Sequence, residues 1–138
     1  MTDVLGQPVR WPIIGAPMAG GPSTPSLAAA VSEAGGLGFL AGGYLDAGAM
    51  EGQISAVRRL TDRPFGVNLF VPQDPAVDER ALGSYLDSLR PEADRFGVDL
   101  VPSWDDDDWA AKVQALVEDP VPVEIGRASC RERVFITV

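Results

Sequence analysis

The sequence predicts an α/β fold whose strands run parallel, and three observations lead there. Short apolar runs alternate with stretches of helical periodicity. The runs begin about 25 residues apart, the length of one strand–loop–helix–loop unit. They are also apolar on both faces, as strands buried between two layers are. The 138 residues, 46% of them hydrophobic, suit one ordinary domain with a core.

The elements follow in order. Trp11-Pro12-Ile13-Ile14-Gly15-Ala16 reads as a buried strand that breaks into the Gly/Pro loop Pro17-Met18-Ala19-Gly20-Gly21-Pro22. Ser23 or Thr24 then caps a helix with Pro25 at its first position, where a missing N–H costs nothing. Leu27, Ala30, Val31 and Ala34 form its apolar face, and Gly35-Gly36 stops it. A second strand, Leu37-Gly38-Phe39-Leu40-Ala41, ends in Gly42-Gly43. Asp46 caps a helix with Ala47, Met50, Ile54 and Val57 inward. Residues 64–71 make a third strand, stopped by Pro72.

The spacing then stretches. Residues 78–90 read as a helix with Leu82, Tyr85, Leu86 and Leu89 on one side, broken or kinked at Pro91. A further helix over residues 105–118 buries Trp109, Val113, Leu116 and Val117. The run Asp105-Asp106-Asp107-Asp108 is expected to cap that helix and complement its dipole rather than hold a metal. Pro120-Val121-Pro122-Val123 opens a fourth strand. Beyond it, residues 124–134 show neither helical nor strand periodicity and carry three Arg in seven residues. That string resembles the in-frame translation of a common short-read sequencing adapter. Residues 124–138 are therefore expected to be a non-native tail behind a domain of residues 1–123.

Composition narrows the function. Eleven basic against 20 acidic residues, net charge −9, argue against an electrostatic grip on nucleic acid or anionic membrane. The single Cys, Cys130, cannot form an internal disulfide. No secretory signal shows, and no apolar run approaches the roughly 20 residues that span a bilayer. The expected location is the cytoplasm. With no His, triads serving Ser or Cys fail, and no HExxH, CxxC pair or Walker loop occurs. Glu33, Glu51 and Asp62 fall on helix surfaces as solvated carboxylates.

Three features could bear chemistry, each at or near the carboxyl end of a predicted strand, where α/β folds bind ligands. Gly20-Gly21, after Ala16-Pro17-Met18, lets backbone approach a flat or anionic ligand; a plain strand-to-helix turn would need the same small residues. Gly36-x-Gly38 precedes and enters a strand, so it lacks the context of a dinucleotide fingerprint. Gly42-Gly43 reads as close packing at the sheet's mouth. Asn68 interrupts an apolar run, and a buried carboxamide must find backbone, water or ligand. Its donor and acceptor suit the ring edge of a flavin or nucleobase, or a bridge between two strands.

With those residues assembled, the chain resembles the amino-terminal part of a nitronate monooxygenase, the family once called 2-nitropropane dioxygenases. The resemblance rests on residues 12–20, on residues 23–39 from Ser23 to Phe39, and on Pro64-Phe65-Gly66-Val67-Asn68-Leu69-Phe70, and covers about residues 10–123. It implies a TIM (β/α)8 barrel holding FMN, of which this chain is a partial barrel of about three to four βα units. It further implies oxidation of small-molecule alkyl nitronates by O2 to carbonyl compounds and nitrite. The backbone of Ala16, Pro17 and Met18 would lie against the isoalloxazine ring, and the Asn68 amide would bond to the flavin.

Such a barrel needs about 250 residues, and its phosphate site usually follows strands seven and eight. The family's catalytic His falls outside the matched residues, so no catalytic residue is assigned here and the 138-residue chain is expected to be inactive by itself. Two other readings stay open: a fragment of a related FMN-dependent enoyl reductase, and a short non-catalytic α/β module that binds a partner or nucleotide. Nothing in the sequence sets the oligomeric state.

Overall fold

A computed structural model describes residues 2–72, 78–103, 105–129 and 132–136. Cys130, Arg131, Thr137 and Val138 of the expected tail lie outside the described residues. The chain divides into two units, Met1–Pro72 with Asp106–Val138, and Gln73–Asp105.

The first unit opens with a hairpin that the sequence reading did not anticipate, β1 (Thr2–Val4) and β2 (Gln7–Val9). Its two-residue turn places Leu5 and Gly6 at φ 53° and 75°, the primed geometry that suits a twisted hairpin. A five-stranded sheet follows in the order β3 (Ile14–Gly15), β4 (Leu37–Ala41), β5 (Phe65–Phe70), β6 (Val123–Ser129) and β7 (Glu132–Ile136). The first four strands are parallel, as the repeat predicts. β7 returns antiparallel to β6, so residues 124–129 and 132–136 do form strands, against the expectation of no periodicity there. The expected strand over residues 11–16 shrinks to two residues. β3 has only β4 as a described partner, and Trp11 and Ile13 stay exposed.

Alternation along the strands sorts the core into two layers. Leu40, Phe65, Val67 and Leu69 face the helices α1 (Pro25–Glu33), α2 (Ala47–Leu60) and α4 (Trp109–Glu118), meeting Ala28, Ala29, Met50, Ile54, Val57 and Leu116. On the opposite, inner face Leu37, Phe39 and Val123 pack with the hairpin through Val4, Leu5 and Val9. Each fully buried Val or Leu contributes about 1.5–3 kcal/mol. The hairpin thus closes the amino-end side of the inner face, and the carboxyl ends of the strands remain its open side.

Each helix teaches something about its pattern. α1 has Pro25 at its start and Thr24, not Ser23, as its cap, the hydroxyl accepting from the Leu27 N–H at 3.2 Å. Its buried face is Ala28, Ala29 and Ser32, one residue round from the predicted Leu27, Ala30, Val31 and Ala34. Close approach explains the rotation. A Cβ on Gly38 would come within 2.0 Å of the Ala28 carbonyl oxygen, so small residues must meet the sheet there. Ser32 fixes the contact by donating to the Pro64 carbonyl at 2.8 Å and accepting from the Gly38 N–H at 3.1 Å. α2 agrees with its pattern: Asp46 caps it and Met50, Ile54 and Val57 are buried.

α4 begins at Trp109, four residues later than predicted, and Val117 is exposed. Lys112 takes the buried position instead, with Ala115 and Leu116. The second unit contains α3 (Glu79–Phe96), capped by Asp78 on the N–H groups of Arg80 and Ala81. It runs through Pro91, which the pattern expected to break or kink it, and closes at Gly97 with φ 64°. No described helix is long and apolar enough to cross a membrane.

Candidate active site

The carboxyl edge of the sheet gathers the sequence-derived candidates from two separate strands. Ala16, Pro17 and Met18 leave β3 and begin the loop to α1. Ser23, buried, ties that loop back on itself: its hydroxyl accepts from the Met18 N–H at 2.7 Å and donates to the Ala16 carbonyl at 3.4 Å. A second bond runs from the Ser23 N–H to the Met18 carbonyl at 3.4 Å. The tripeptide is therefore held in one shape, with the Met18 side chain exposed. Between clamp points the chain turns at Gly20 and Gly21, with φ 83° and 121°. Only glycine takes those angles without strain, and no neighbour crowds either position. These glycines serve the turn's backbone rather than close packing.

Asn68 lies on β5, in register with Ala41 of β4 and Ile125 of β6. Alternation with Val67 and Leu69, which face the helices, sets Asn68 on the inner face. The residue is 9% exposed and no side-chain hydrogen bond to it occurs among the described residues, yet its amide is not one of the fully buried, unpaired atoms, so it keeps access to the open edge. Its backbone carbonyl is engaged by the Gly42 N–H at 2.8 Å. One turn closer to the hairpin, Gly66 leaves the space that the Phe39 ring fills, since a Cβ there would lie 2.2 Å from it. The inner face is therefore packed solid below Asn68.

A cavity of about 240 Å³ opens at this edge, lined by Met18, Gly20, Gly21, Ser23, Ala41, Gly43, Tyr44, Leu45 and Gln53. It touches Met18 of one candidate group and Ala41, the register neighbour of Asn68; Asn68 itself does not line it. Gly43 is bare because the Phe70 ring occupies the place of its Cβ, 2.4 Å away, which agrees with packing rather than a phosphate cradle. The Tyr44 ring meets Phe70 edge-on at 5.2 Å.

The four consecutive Asp residues do something the sequence did not suggest. Asp108 stands at the α4 N-cap with φ 54° and makes no side-chain cap bond there. Its carboxylate instead accepts from the Ala47 N–H at 2.8 Å, at the start of α2. Asp107 accepts from the Tyr44 N–H at 2.7 Å and pairs with Lys112 at 2.8 Å. No cluster of metal-ligating residues exists among the described residues. Glu33, Glu51 and Asp62 are exposed, Glu33 accepting from the Thr61 hydroxyl at 2.5 Å.

Comparison with known proteins decides the family. A family model for nitronate monooxygenases matches residues 6–134. The chain belongs to the nitronate monooxygenase family. That is a family of oxidoreductases. Nitronate monooxygenase of Pseudomonas aeruginosa is 46% identical over 100 residues, 71% of this chain and 27% of the relative. That of Paraburkholderia phytofirmans is 39% identical over 104 residues, 70% of this chain and 28% of the relative. Among solved structures, a nitroalkane oxidase from Streptomyces ansochromogenes superposes with a TM-score of 0.76 at 48% identity. It shares 84% of this chain and 33% of its own. FabK from Thermotoga maritima superposes with a TM-score of 0.56 at 33% identity, over 88% of this chain and 28% of its own. The chain thus spans about a third or less of the length of these relatives.

Proposed function

We propose that this chain supplies the amino-terminal part of an FMN-dependent nitronate monooxygenase, a partial (β/α)8 barrel contributing one wall of the flavin site. The single observation behind this reading is Asn68: a polar residue set among apolar ones on the inner face, 9% exposed, its amide making no hydrogen bond to the described residues. Because that amide is not one of the fully buried, unpaired atoms, its donor and acceptor stay available at the open edge. A flavin fits the demand, since its ring edge offers donors and acceptors side by side and a carboxamide answers both.

The clamped loop complements it. Ser23 holds the Ala16-Pro17-Met18 backbone in a fixed shape before any ligand arrives, which lowers the ordering cost of binding. In this reading that backbone lies against the isoalloxazine face and the Asn68 amide bonds to its edge. Bound FMN would supply the redox chemistry, with alkyl nitronate and O2 giving a carbonyl compound and nitrite. Residues 1–138 contain no His for proton transfer, so the complete gene product is the catalyst and this chain by itself is not. Residues 124–138 are read as a tail foreign to the native protein.

The FabK likeness supports a second reading, an FMN-dependent enoyl reductase; it rests on the lower superposition of the two. The test is to extend the reading frame in genomic DNA and purify the complete product. Bound FMN with nitrite release from alkyl nitronates and O2 is expected. Reduction of enoyl thioesters without nitrite release would establish the alternative. A natural stop near codon 124 would instead favour a small binding module.

A further inference from the structure

Of the four non-glycine residues with positive φ among those described, three meet at one place: Tyr44 at 63°, Asp107 at 58° and Asp108 at 54°. A left-handed backbone is unusual for a bulky residue such as Tyr and is retained only where the surroundings hold it. Bonds between the β4–α2 loop and the turn before α4 sustain all three. Asp107 takes the Tyr44 N–H, Asp108 takes the Ala47 N–H, and Asp106 takes the Asp108 N–H at 3.1 Å. Beneath them lies Lys112, the one lysine of the chain, 1% exposed and ion-paired to Asp107. A buried ammonium is expensive and is retained only where its charge is answered. It holds Asp107 in the position from which the carboxylate reaches Tyr44.

We propose that the Lys112–Asp107 pair is a positioning device that fixes Tyr44 as the apolar wall of the carboxyl-edge cavity, where Tyr44 sets preference for the alkyl group of the substrate. The geometry behind this is direct. The Tyr44 ring is 77% exposed, supported from behind by the edge of Phe70, and lines the cavity with Leu45 and the exposed Met18. An aromatic ring held at the mouth of a site, with its position fixed by strain and a buried charge, is suited to bind hydrocarbon. The inference rests on the reading of this edge as the nitronate site, and it adds the residue that discriminates among nitronates.

Two double variants of the complete gene product isolate the device. Both delete the buried charges: Asp107→Asn with Lys112→Met keeps an oxygen that can accept from the Tyr44 N–H, whereas Asp107→Ala with Lys112→Met does not. The Asn variant, which keeps the acceptor but loses the hold of Lys112 on it, is expected to shift the KM series across ethyl, propyl and butyl nitronates by only about two- to threefold. The Ala variant is expected to raise KM for butyl nitronate about tenfold, and less for ethyl, with kcat changed little. Tyr44→Ala should reproduce that chain-length-dependent loss. Amide exchange gives a readout independent of turnover: the Tyr44 N–H should lose protection in the Ala variant and keep it in the Asn variant. Equal KM series in wild type, the Ala variant and Tyr44→Ala would overturn the inference while leaving the nitronate reading intact. No nitrite release from any nitronate by the wild-type protein would overturn the reading itself, and the amide exchange would still decide whether the pair positions Tyr44.

Discussion

Two polar residues on adjacent strands, Asn68 of β5 and Glu124 of β6, stand one register step apart and face opposite ways. Asn68 pairs with Ile125 and points inward; Glu124 pairs with Val67 and shares its helix-packed face. Asn68 meets a face that stays open at the carboxyl edge. Glu124 meets an apolar layer, and its Oε1 is buried without a hydrogen-bond partner. Burial pushes its carboxyl above the usual carboxylate value, offset in part by a hydrogen bond from the Val121 backbone. Polar groups in adjacent strands therefore differ in what surrounds them. On the inner face the Asn68 amide keeps access to the open edge, as the proposed flavin site requires; on the helix face the Glu124 oxygen is buried and does not suit its surroundings. Glu124 is also the first residue of the expected foreign tail, and an apolar side chain would suit that position better.

The largest expected effect probes the inner face itself. Gly66→Ala drives a methyl into the Phe39 ring and should cost about 2–3 kcal/mol in urea unfolding of the chain. A neutral result would mean that the inner face below Asn68 is not packed. Next comes Asn68→Leu in the complete protein. It should weaken FMN binding at least about tenfold. The apoprotein should melt no lower, because Asn68 makes no side-chain hydrogen bond to the described residues and an apolar group of similar size takes its place on the inner face. Ser23→Ala frees the loop and leaves the Met18 N–H without its acceptor. A loss of about 1–2 kcal/mol in thermal or chemical unfolding is expected.

The smallest effect belongs to Glu124 and has a definite sign. Its folded-state affinity for the proton exceeds the unfolded one, so between the ordinary value of about 4.5 and the raised one the folded chain binds more protons than the unfolded one. Stability falls as pH rises through that window, and the full penalty stands only above the raised value. Glu124→Gln keeps an acceptor for the Val121 N–H and removes the charge. It should raise the Tm of the 138-residue chain above the raised titration range and leave it unchanged well below pH 4.5. A gain that persists at acid pH would assign the effect to something other than the carboxylate.

How much of this was legible depended on whether the determining contact was local. The alternation of strand and helix, the cap at Asp46 and the break at Asn68 are written in neighbouring residues, and all three stand in the structure. The face of α1 was not legible, because Gly38 on another element decides which helix residues come closest. Lys112 escaped notice for a similar reason: its partner Asp107 lies five residues back, before the helix begins. The Asp run was read as capping α4, the helix it precedes, whereas its carboxylates serve the start of α2, about sixty residues earlier. Of the two cap candidates, Ser23 and Thr24, Thr24 does that work, while the clamp of Ser23 on Met18 depends on the path of a glycine turn. Asn68 as an inward polar residue could be read from sequence; the contacts that fix the carboxyl-edge loop could not.

The most direct test of the central claim, that Asn68 is held for a flavin, is FMN titration of the complete apoprotein with Asn68 or with Asn68→Leu, followed by flavin absorbance. The account predicts one FMN bound per wild-type chain and an affinity at least about tenfold weaker in the variant, with an undiminished apoprotein Tm. Equal FMN affinity in the two proteins would contradict it.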